Sequence, residues 1–220
     1  MLCAAFPNVP VIALTATANK VDRKVANTDR KNIIYEKHFR EGQDVDAIEN
    51  ICRPIAIDLL MSRVNYPLTI IYSSLKYCRF VYKLFEHVMG VHQYYPLNVA
   101  AMRKNRLFAQ FHTPQIDSMK EEILEQLHSQ TSTIRAVFAT VAIGMAVDIR
   151  SVRQAIHIGP PTSIREYFQE TGRAERDGKL SKVVLYYNNR DIAKSRVGIQ
   201  NEIRKYCQSD NICLRVFKMS

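Results

Sequence analysis

The sequence lacks several features that would assign it to whole classes of protein. No run approaches 18 consecutive apolar residues, which argues against a membrane-spanning helix. Residues 1–19 have no basic segment, and Pro7, Asn8 and Pro10 interrupt their apolar run, so we do not expect a secretion signal. There is also no internal repeat and no low-complexity segment. We therefore expect a globular intracellular protein without a membrane partner.

Cysteine is sparse and follows no metal-binding or disulfide pattern. The five cysteines are odd in number, scattered and mostly set in apolar stretches, at Cys3, Cys52, Cys78, Cys207 and Cys213. This pattern favours a reducing intracellular compartment over a disulfide-rich one. None of the six histidines has a partner at metal-ligand spacing.

A phosphate loop is absent as well. The nearest approach to G-x-x-x-x-G-K-[ST] is Gly172 with Gly178 and Lys179, but five residues separate the glycines and Leu180 replaces the hydroxylated residue. No Asp-Glu pair follows a predicted strand, and no glycine fingerprint of a dinucleotide site does either. A Rossmann-type oxidoreductase is therefore remote.

Basic residues, by contrast, are in excess. Lys and Arg number 31 against 21 Asp and Glu, for a net charge of +10, which favours polyanionic partners such as nucleic acid. Residues 63–112 carry seven basic side chains and one acid, Glu86, interleaved with ten aromatic residues. Such a mixture suits phosphate contact and base stacking. The helix and strand spacing of the aromatic residues nevertheless favours a place in the core.

The apolar pattern predicts an α/β fold, in which a parallel sheet is flanked by helices. Predicted strands are residues 11–14, 33–35, 68–72, 134–139, 155–158 and 183–187. Predicted helices are residues 46–61, 75–88, a segment capped by Thr113 with Pro114 in first position, 163–171 and about 190–206. Residues 90–112 predict a short strand and an irregular loop.

Small hydroxylated or glycine-containing segments follow the predicted strands. In parallel sheets, ligands bind beyond the carboxyl ends of the strands, so these segments are the candidate site. A further segment, residues 169–178, holds two arginines between two glycines, an arrangement suited to gripping phosphate. Plainer interpretations exist. Gly172 would be the left-handed cap of a helix, Ser73 and Ser74 would cap the next one, and Thr140 and Asp148 would be loop hydrogen bonders.

Four segments resemble, in the same order, motifs III to VI of superfamily 2 helicases. They resemble the motifs of the RecQ family most. The segments are residues 13–18 (ALTATA), 70–74 (IIYSS), 138–148 (FATVAIGMAVD) and 169–178 (QETGRAERDG). A tyrosine-rich strand ending in an aspartate, residues 185–191 (LYYNNRD), follows as in that family. The joint order of these segments makes coincidence improbable.

The resemblance implies an ATP-dependent DNA helicase that moves 3′ to 5′ on single strands, with ATP bound between two RecA-like domains. Arg176 would be the arginine finger, supported by Arg173 and Gln169, and such a finger contributes roughly 10³–10⁵ in rate. Gly144, Asp148 and Gly172 would belong to the nucleotide side, with Asp148 ordering the motif V loop. We expect Arg173 and Arg176 to face the interdomain crevice at the carboxyl edge of the sheet.

The same resemblance implies the DNA contacts. Ser73, Ser74 and Thr140, with Gly144 beside them, would touch the backbone of single-stranded or forked DNA. Thr15 and Thr17 would couple the nucleotide state to the grip on DNA.

The implied domains are the carboxyl end of a first RecA-like domain (1–25), a second RecA-like domain (26–200) and the start of a zinc module (201–220). ATP with Mg²⁺ would need a phosphate loop that this sequence lacks, so we expect the chain alone to be inactive. Only Cys207 and Cys213 stand where a four-cysteine zinc site would begin, so we favour buried or idle thiols and do not expect zinc. A nuclear location follows from the family.

The sequence departs from the family pattern in three places. Glu175 stands where the family has glycine, which sets a negative charge between the two arginines. Ala146 replaces a glycine of motif V, and the connection between Val25 and Asp29 is short. An alternative is therefore a non-catalytic nucleic-acid-binding remnant that uses residues 63–112. An RNA helicase of the DEAD-box branch is a third hypothesis, against which the motif III and motif VI strings argue.

Overall fold

Six strands form one parallel sheet in the computed structural model. The structure describes residues 32–42, 44–98, 101–140, 149, 152–174 and 179–209, and these belong to one compact unit that begins at Asn32. The strands are β1 (Ile33–Phe39), β2 (Thr69–Tyr72), β3 (Phe108–Phe111), β4 (Ala136–Ala139), β5 (Gln154–Ile158) and β6 (Ser181–Tyr187). Their order across the sheet is β1-β6-β5-β2-β4-β3, and every neighbouring pair is parallel. The predicted α/β parallel fold is confirmed.

Helices cover both faces of the sheet. They are α1 (Val45–Ser62), α2 (Leu75–Met89), α3 (Asp117–His128), α4 (Ile164–Thr171) and α5 (Asn201–Gln208). Successive strand residues point to opposite faces, so Ile71 packs against α1 and α2, whereas Ile70 and Tyr72 belong to the cluster that includes α3, α4 and α5. Two apolar layers therefore enclose the sheet, and its strand ends are left to carry polar residues.

Two predicted helix boundaries are wrong, for local reasons. The helix expected to start at Thr113–Pro114 begins at Asp117, because a turn closed by Gln115 N and His112 O (3.1 Å) precedes it. The last helix starts only at Asn201. Before it, Asp191 and Asn188 form a reciprocal turn, and Gly198 adopts φ +85°, a conformation that ends a right-handed helix.

The structural predictions for residues 63–112 are confirmed. The strand and loop expected in 90–112 are β3 and the residues before it. The aromatic residues of 63–112 are buried or half-buried except Tyr95, which is 37% exposed. The strand predicted at residues 11–14 lies outside the described residues. The domain boundaries stay predictions, although α5, just beyond residue 200, packs Ile203, Tyr206 and Cys207 into the core.

Candidate functional site

Three predicted DNA-contact residues meet at the carboxyl edge of the sheet. Ser73 and Ser74 follow β2, and Thr140 follows β4, its neighbour in the sheet. The Ser73 amide donates to the Ala139 carbonyl (3.0 Å), and the Thr140 amide donates to the Phe111 carbonyl (3.2 Å). These bonds continue the strand ladder by one residue, so the three hydroxyl-bearing residues stand side by side.

The hydroxyl of Ser74 also has a structural role. Its Oγ accepts a hydrogen bond from the amide of Tyr77 (3.4 Å) and so caps α2. Ser73 Oγ donates to the carbonyl of Ser74 (3.3 Å). The capping interpretation is confirmed for Ser74, and DNA contact by either residue stays a prediction.

An open cleft of about 280 Å³ lies along this edge, and we call it the edge cleft. It is lined by Arg40, Tyr72, Ser73, Ser74, Tyr77, His157, Ile158, Gly159, Pro160, Pro161, Thr162, Glu170, Asp191 and Arg196. It therefore spans the carboxyl ends of β1, β2, β5 and β6, the place where parallel sheets bind ligands.

A buried ion pair closes one end of the edge cleft. Arg40 Nη2 lies 3.0 Å from Asp191 Oδ2, and only 4% of the Arg40 side chain is exposed. The amide of Asn188 donates to the same carboxylate oxygen (3.0 Å). Gly159 has φ +91°, and a Cβ there would stand 3.7 Å from the Asp191 carboxylate. Asp191, the last residue of the 185–191 string, thus holds the Arg40 side chain in place.

The floor of the edge cleft is a buried polar cluster. His157 Nε2 lies 2.8 Å from Glu170 Oε2, and the two side chains are 1% and 4% exposed. The Tyr72 ring stacks on His157 with 4.7 Å between centroids and a 16° interplanar angle. The Tyr72 hydroxyl donates to the Glu170 carbonyl (3.5 Å). His157 is therefore buried in β5 with a polar partner.

Sequence reasoning missed Glu170 as the partner of His157. The signal was its position in α4, because Tyr167, Glu170 and Thr171 share the buried face of that helix. Burial raises the pKa of the Tyr72 hydroxyl well above its ordinary range, and the Glu170 carboxylate adds to this rise, whereas the Arg173 guanidinium opposes it. The electrostatic effect places Arg173 within reach of the end of β2.

The structure describes residues 169–174 of the arginine segment. Ala174 pairs with Val152 in a parallel bridge, and Val152 precedes β5, so Ala174 lies near the amino end of that strand. The eight residues of α4 rise about 12 Å between the end of β5 and this bridge. Arg173 itself is 7% exposed. The Arg173 guanidinium acts on the hydroxyl of Tyr72, which ends β2 at the carboxyl edge, and the expectation that it faces the interdomain crevice stays a prediction.

The other residues of this segment differ in exposure. Gln169 is exposed, and Gly172 is half-buried just after α4. Gly172 has φ −65°, so its interpretation as a left-handed cap is wrong. Their proposed roles in the nucleotide site stay predictions. The predicted site residues Thr15, Thr17, Gly144, Asp148 and Arg176 lie outside the described residues, and so does Glu175.

The described cysteines are buried thiols. Burial raises the pKa of Cys52, Cys78 and Cys207 to about 12 in each case. Cys78 Sγ donates to the carbonyl of Phe138 (3.2 Å), and Cys207 packs into the core. The buried-thiol interpretation is confirmed for Cys207, whereas Cys213 lies outside the described residues. In the described ranges no three potential ligands gather around a common metal position.

The helices described here include none that is both long and apolar enough to cross a membrane.

Comparisons with known proteins agree with the resemblance. Residues 56–178 match the family described as helicase conserved C-terminal domain. The chain is 27% identical to "ATP-dependent DNA helicase Q-like 2" of Arabidopsis thaliana over 98% of its own length and 31% of that protein. It is 30% identical to "ATP-dependent DNA helicase Q1" of Rattus norvegicus, over 96% of its length and 34% of the relative. The chain thus spans about a third of these relatives.

A similar fold occurs in solved helicase structures. Mss116p bound to ssRNA and AMP-PNP matches with a TM-score of 0.59 at 15% identity, over 91% of this chain and 38% of that one. At this identity the likeness concerns the fold alone.

Proposed function

Because the chain belongs to the RecQ-like superfamily 2 helicases and carries their conserved C-terminal domain, we propose that it supplies the second RecA-like domain of an ATP-dependent DNA helicase. The helicase moves 3′ to 5′ on a single strand and acts on single-stranded or forked DNA. The second domain contributes part of the DNA track and the arginine finger.

The observation that carries this proposal is the grouping of Ser73, Ser74 and Thr140 on adjacent strand ends. Hydroxyl groups and backbone amides at such an edge can donate to phosphate oxygens without reading base sequence. The net charge of +10 supports attraction to a polyanion. Hydroxyl donors on a basic protein therefore suit a motor that grips the DNA backbone whatever the base sequence.

The nucleotide side of the proposal rests on the segment after α4. Arg176 is the finger that stabilises charge on the γ-phosphate, and Arg173 and Gln169 support it. The buried His157–Glu170 pair fixes α4 against β5, and α4 leads directly into Arg173. Gly144, Asp148 and Gly172 belong to the same site, and Thr15 with Thr17 couples it to the DNA track.

ATP and Mg²⁺ are the proposed cofactors, and a first motor domain must provide the phosphate loop and metal-binding acids. Residues 1–25 correspond to the end of that first domain, 26–200 to the second, and 201–220 to the start of a zinc module. We place the protein in the nucleus, a reducing compartment, which is consistent with the free thiols of Cys52, Cys78 and Cys207.

A matched pair of variants at Thr140 tests the DNA track. In a fluorescence anisotropy titration with single-stranded DNA, Thr140→Asp should weaken binding about tenfold, since a carboxylate would face phosphate. Thr140→Ser keeps the hydroxyl and should bind within roughly twofold of the parent chain. Equal affinity for all three proteins would contradict the proposed track.

A second candidate is a nucleic-acid-binding relative without motor activity, and Glu175 favours it. Its carboxylate stands directly before Arg176 and opposes anion binding there. This candidate predicts salt-sensitive DNA binding that does not change when ATP is added, even in the presence of a first motor domain.

A further inference from the structure

A surface rich in basic and apolar side chains stands at the amino edge of the sheet. α2 starts beside the edge cleft and ends at Met89, so the chain that follows lies at the opposite end of the strands. It returns to the sheet at Phe108, the first residue of β3. A strand of four residues is about 13 Å long, so this surface and the edge cleft are well separated.

The chain between α2 and β3 forms a hairpin, comprising residues 93–98 and 101–107 of the described chain. Tyr94 and Arg106 pair as an antiparallel bridge, the Tyr95 amide donates to the Asn105 carbonyl (2.7 Å), and the Leu107 amide donates to the Gln93 carbonyl (2.8 Å). Thr133 Oγ1 donates to the Lys104 carbonyl (3.1 Å). The hairpin is therefore tied both to itself and to the loop before β4.

Arg106 anchors the base of the hairpin. Its guanidinium lies 5.3 Å from the ring centre of Tyr94 and 5.4 Å from that of Tyr82. It also donates to the Tyr94 hydroxyl (2.8 Å) and lies 3.4 Å from Glu86 Oε1. A base fixed in this way presents the outer part of the hairpin in a defined position.

The outer part of the hairpin carries positive charge without a nearby acid in sequence. No Asp or Glu occurs between His87 and Ile116. Arg103 and Lys104 are exposed. Glu86, the last acid before this stretch, is held by Arg106 and by Lys83 (2.6 Å). Glu122 lines the same small cleft as Arg103, so the two exposed cations keep part of their field for an outside partner.

Apolar side chains are exposed beside these cations. Tyr95 is 37% exposed, Leu97 56% and Met102 44%. The structure describes all ten aromatic residues of 63–112, and Tyr95 is the only exposed one among them. An exposed aromatic ring next to cations is the arrangement with which proteins stack a base and hold its phosphates.

We propose that the tip of this hairpin, formed by Tyr95, Arg103 and Lys104, binds a single strand of nucleic acid at a second site, apart from the edge cleft. Tyr95 stacks on a base, and the two cations contact flanking phosphates. Two cations are fewer than the four to eight in basic clusters that hold anionic membranes, so nucleic acid is the favoured partner. The site stands independently of the proposed motor function, since it uses the opposite edge of the sheet.

The test is an anisotropy titration of the 220-residue chain with labelled oligothymidylate and oligouridylate of equal length, over a range of salt. The R103A/K104A double variant should bind about tenfold more weakly at low salt. Loss of two phosphate contacts should also reduce the slope of log K against log salt by about 1.4. Tyr95→Ala should bind at least about fivefold more weakly, and Tyr95→Phe should bind like the parent. Equal effects on both oligonucleotides indicate a site that accepts either backbone, and an effect on one alone identifies the strand it takes.

Matched controls separate this site from general charge and from the edge cleft. The K194A/K205A double variant removes the same charge from exposed positions elsewhere and should stay within roughly twofold of the parent. The Thr140→Asp variant should retain part of its binding to the oligonucleotides. If adding R103A/K104A to this variant removes the remaining binding, the result supports the hairpin site. Equal weakening by both double variants, or parent-like binding by Tyr95→Ala and R103A/K104A, would overturn it. So would binding to anionic phospholipid vesicles that exceeds binding to the oligonucleotides.

Discussion

At the scale of single residues, the His157–Glu170 pair is the most consequential contact of the described chain. Both side chains are almost fully buried and lie 2.8 Å apart. Removing one member leaves the other without its partner in a medium of low polarity, and such a change costs about 3–5 kcal/mol. His157→Leu should therefore lower the free energy of unfolding by that amount, as measured by urea denaturation.

A double-mutant cycle provides the control for this prediction. The H157L/E170L variant removes both polar groups, so it should recover a large part of the stability that His157→Leu loses. If His157→Leu cost less than about 1 kcal/mol, the pair would not hold α4 against β5.

The buried thiols give a second prediction at the residue scale. Burial raises the pKa of Cys52, Cys78 and Cys207 to about 12, and the thiolate is the reactive form. In the native chain at about pH 8, iodoacetamide should leave these three cysteines unmodified, whereas urea should expose them. Peptide mapping by mass spectrometry reads this directly. Rapid native alkylation of any of the three would contradict their burial.

The same thiols predict the direction of a pH effect on stability. Folding raises the pKa of each thiol from its ordinary value of 9.0, so the stability that burial of the neutral thiols contributes is fully present below pH 9. It is lost as pH rises towards 12, because the unfolded thiols ionise first and favour unfolding. Substitution of Cys52 by Ser, measured by thermal unfolding, should flatten this alkaline loss.

The sequence predicted the environment of a residue only where its own type and its neighbours in sequence determine that environment. The strand predicted at residues 155–158 contains His157, but no local pattern identified Glu170 as its partner, because the contact joins β5 to α4 across 13 positions. Arg173 lies in a segment rich in charged residues, yet it is only 7% exposed. Its burial depends on how far α4 runs along the sheet, which residue type does not encode.

At the scale of elements, the start of α2 separates a structural role from a functional one. Ser74 caps the helix, so Ser74→Ala should cost about 1 kcal/mol of stability. Ser74→Asp keeps the capping oxygen and should retain stability, yet its charge should weaken single-stranded DNA binding about tenfold. Paired urea unfolding and anisotropy measurements test both parts. Retained DNA affinity in Ser74→Asp would restrict Ser74 to capping.

Element existence was predictable, whereas some boundaries were not. The continuous apolar runs at β2 and β4 and the stripe along α2 gave those elements within about two residues. The start of α3 was misplaced because Thr113 and Pro114 imitate a helix start while the chain there makes a turn. The late start of α5 depends on the Asn188–Asp191 turn, a contact formed only once β6 is in place.

At the scale of the whole molecule, the sequence predicts the absence of ATP hydrolysis by this chain. It contains no phosphate loop, and the proposed arginine finger would act on a triphosphate held by a first motor domain. The purified 220-residue chain should therefore show no turnover above background with ATP, Mg²⁺ and single-stranded DNA in a phosphate-release assay. Robust turnover would contradict the division of labour between two motor domains.

The parallel sheet and the family were both predictable at this scale, since the segment order and the apolar runs extend along much of the chain. The bridge between Ala174 and Val152 was not predictable, because it depends on the length of α4 relative to β5. The exposure of the hairpin tip was also not predictable from the sequence, because it depends on the contacts that Arg106 makes at the base of the hairpin.

The central claim is that the carboxyl edge of the sheet grips single-stranded DNA. Hydrogen–deuterium exchange with mass spectrometry, with and without single-stranded DNA, tests it by position. We predict slower exchange of the backbone amides of Ser73, Ser74 and Thr140 when DNA is added, and no such change in Thr140→Asp. Unchanged exchange at this edge under conditions where the chain is saturated with DNA would contradict the claim.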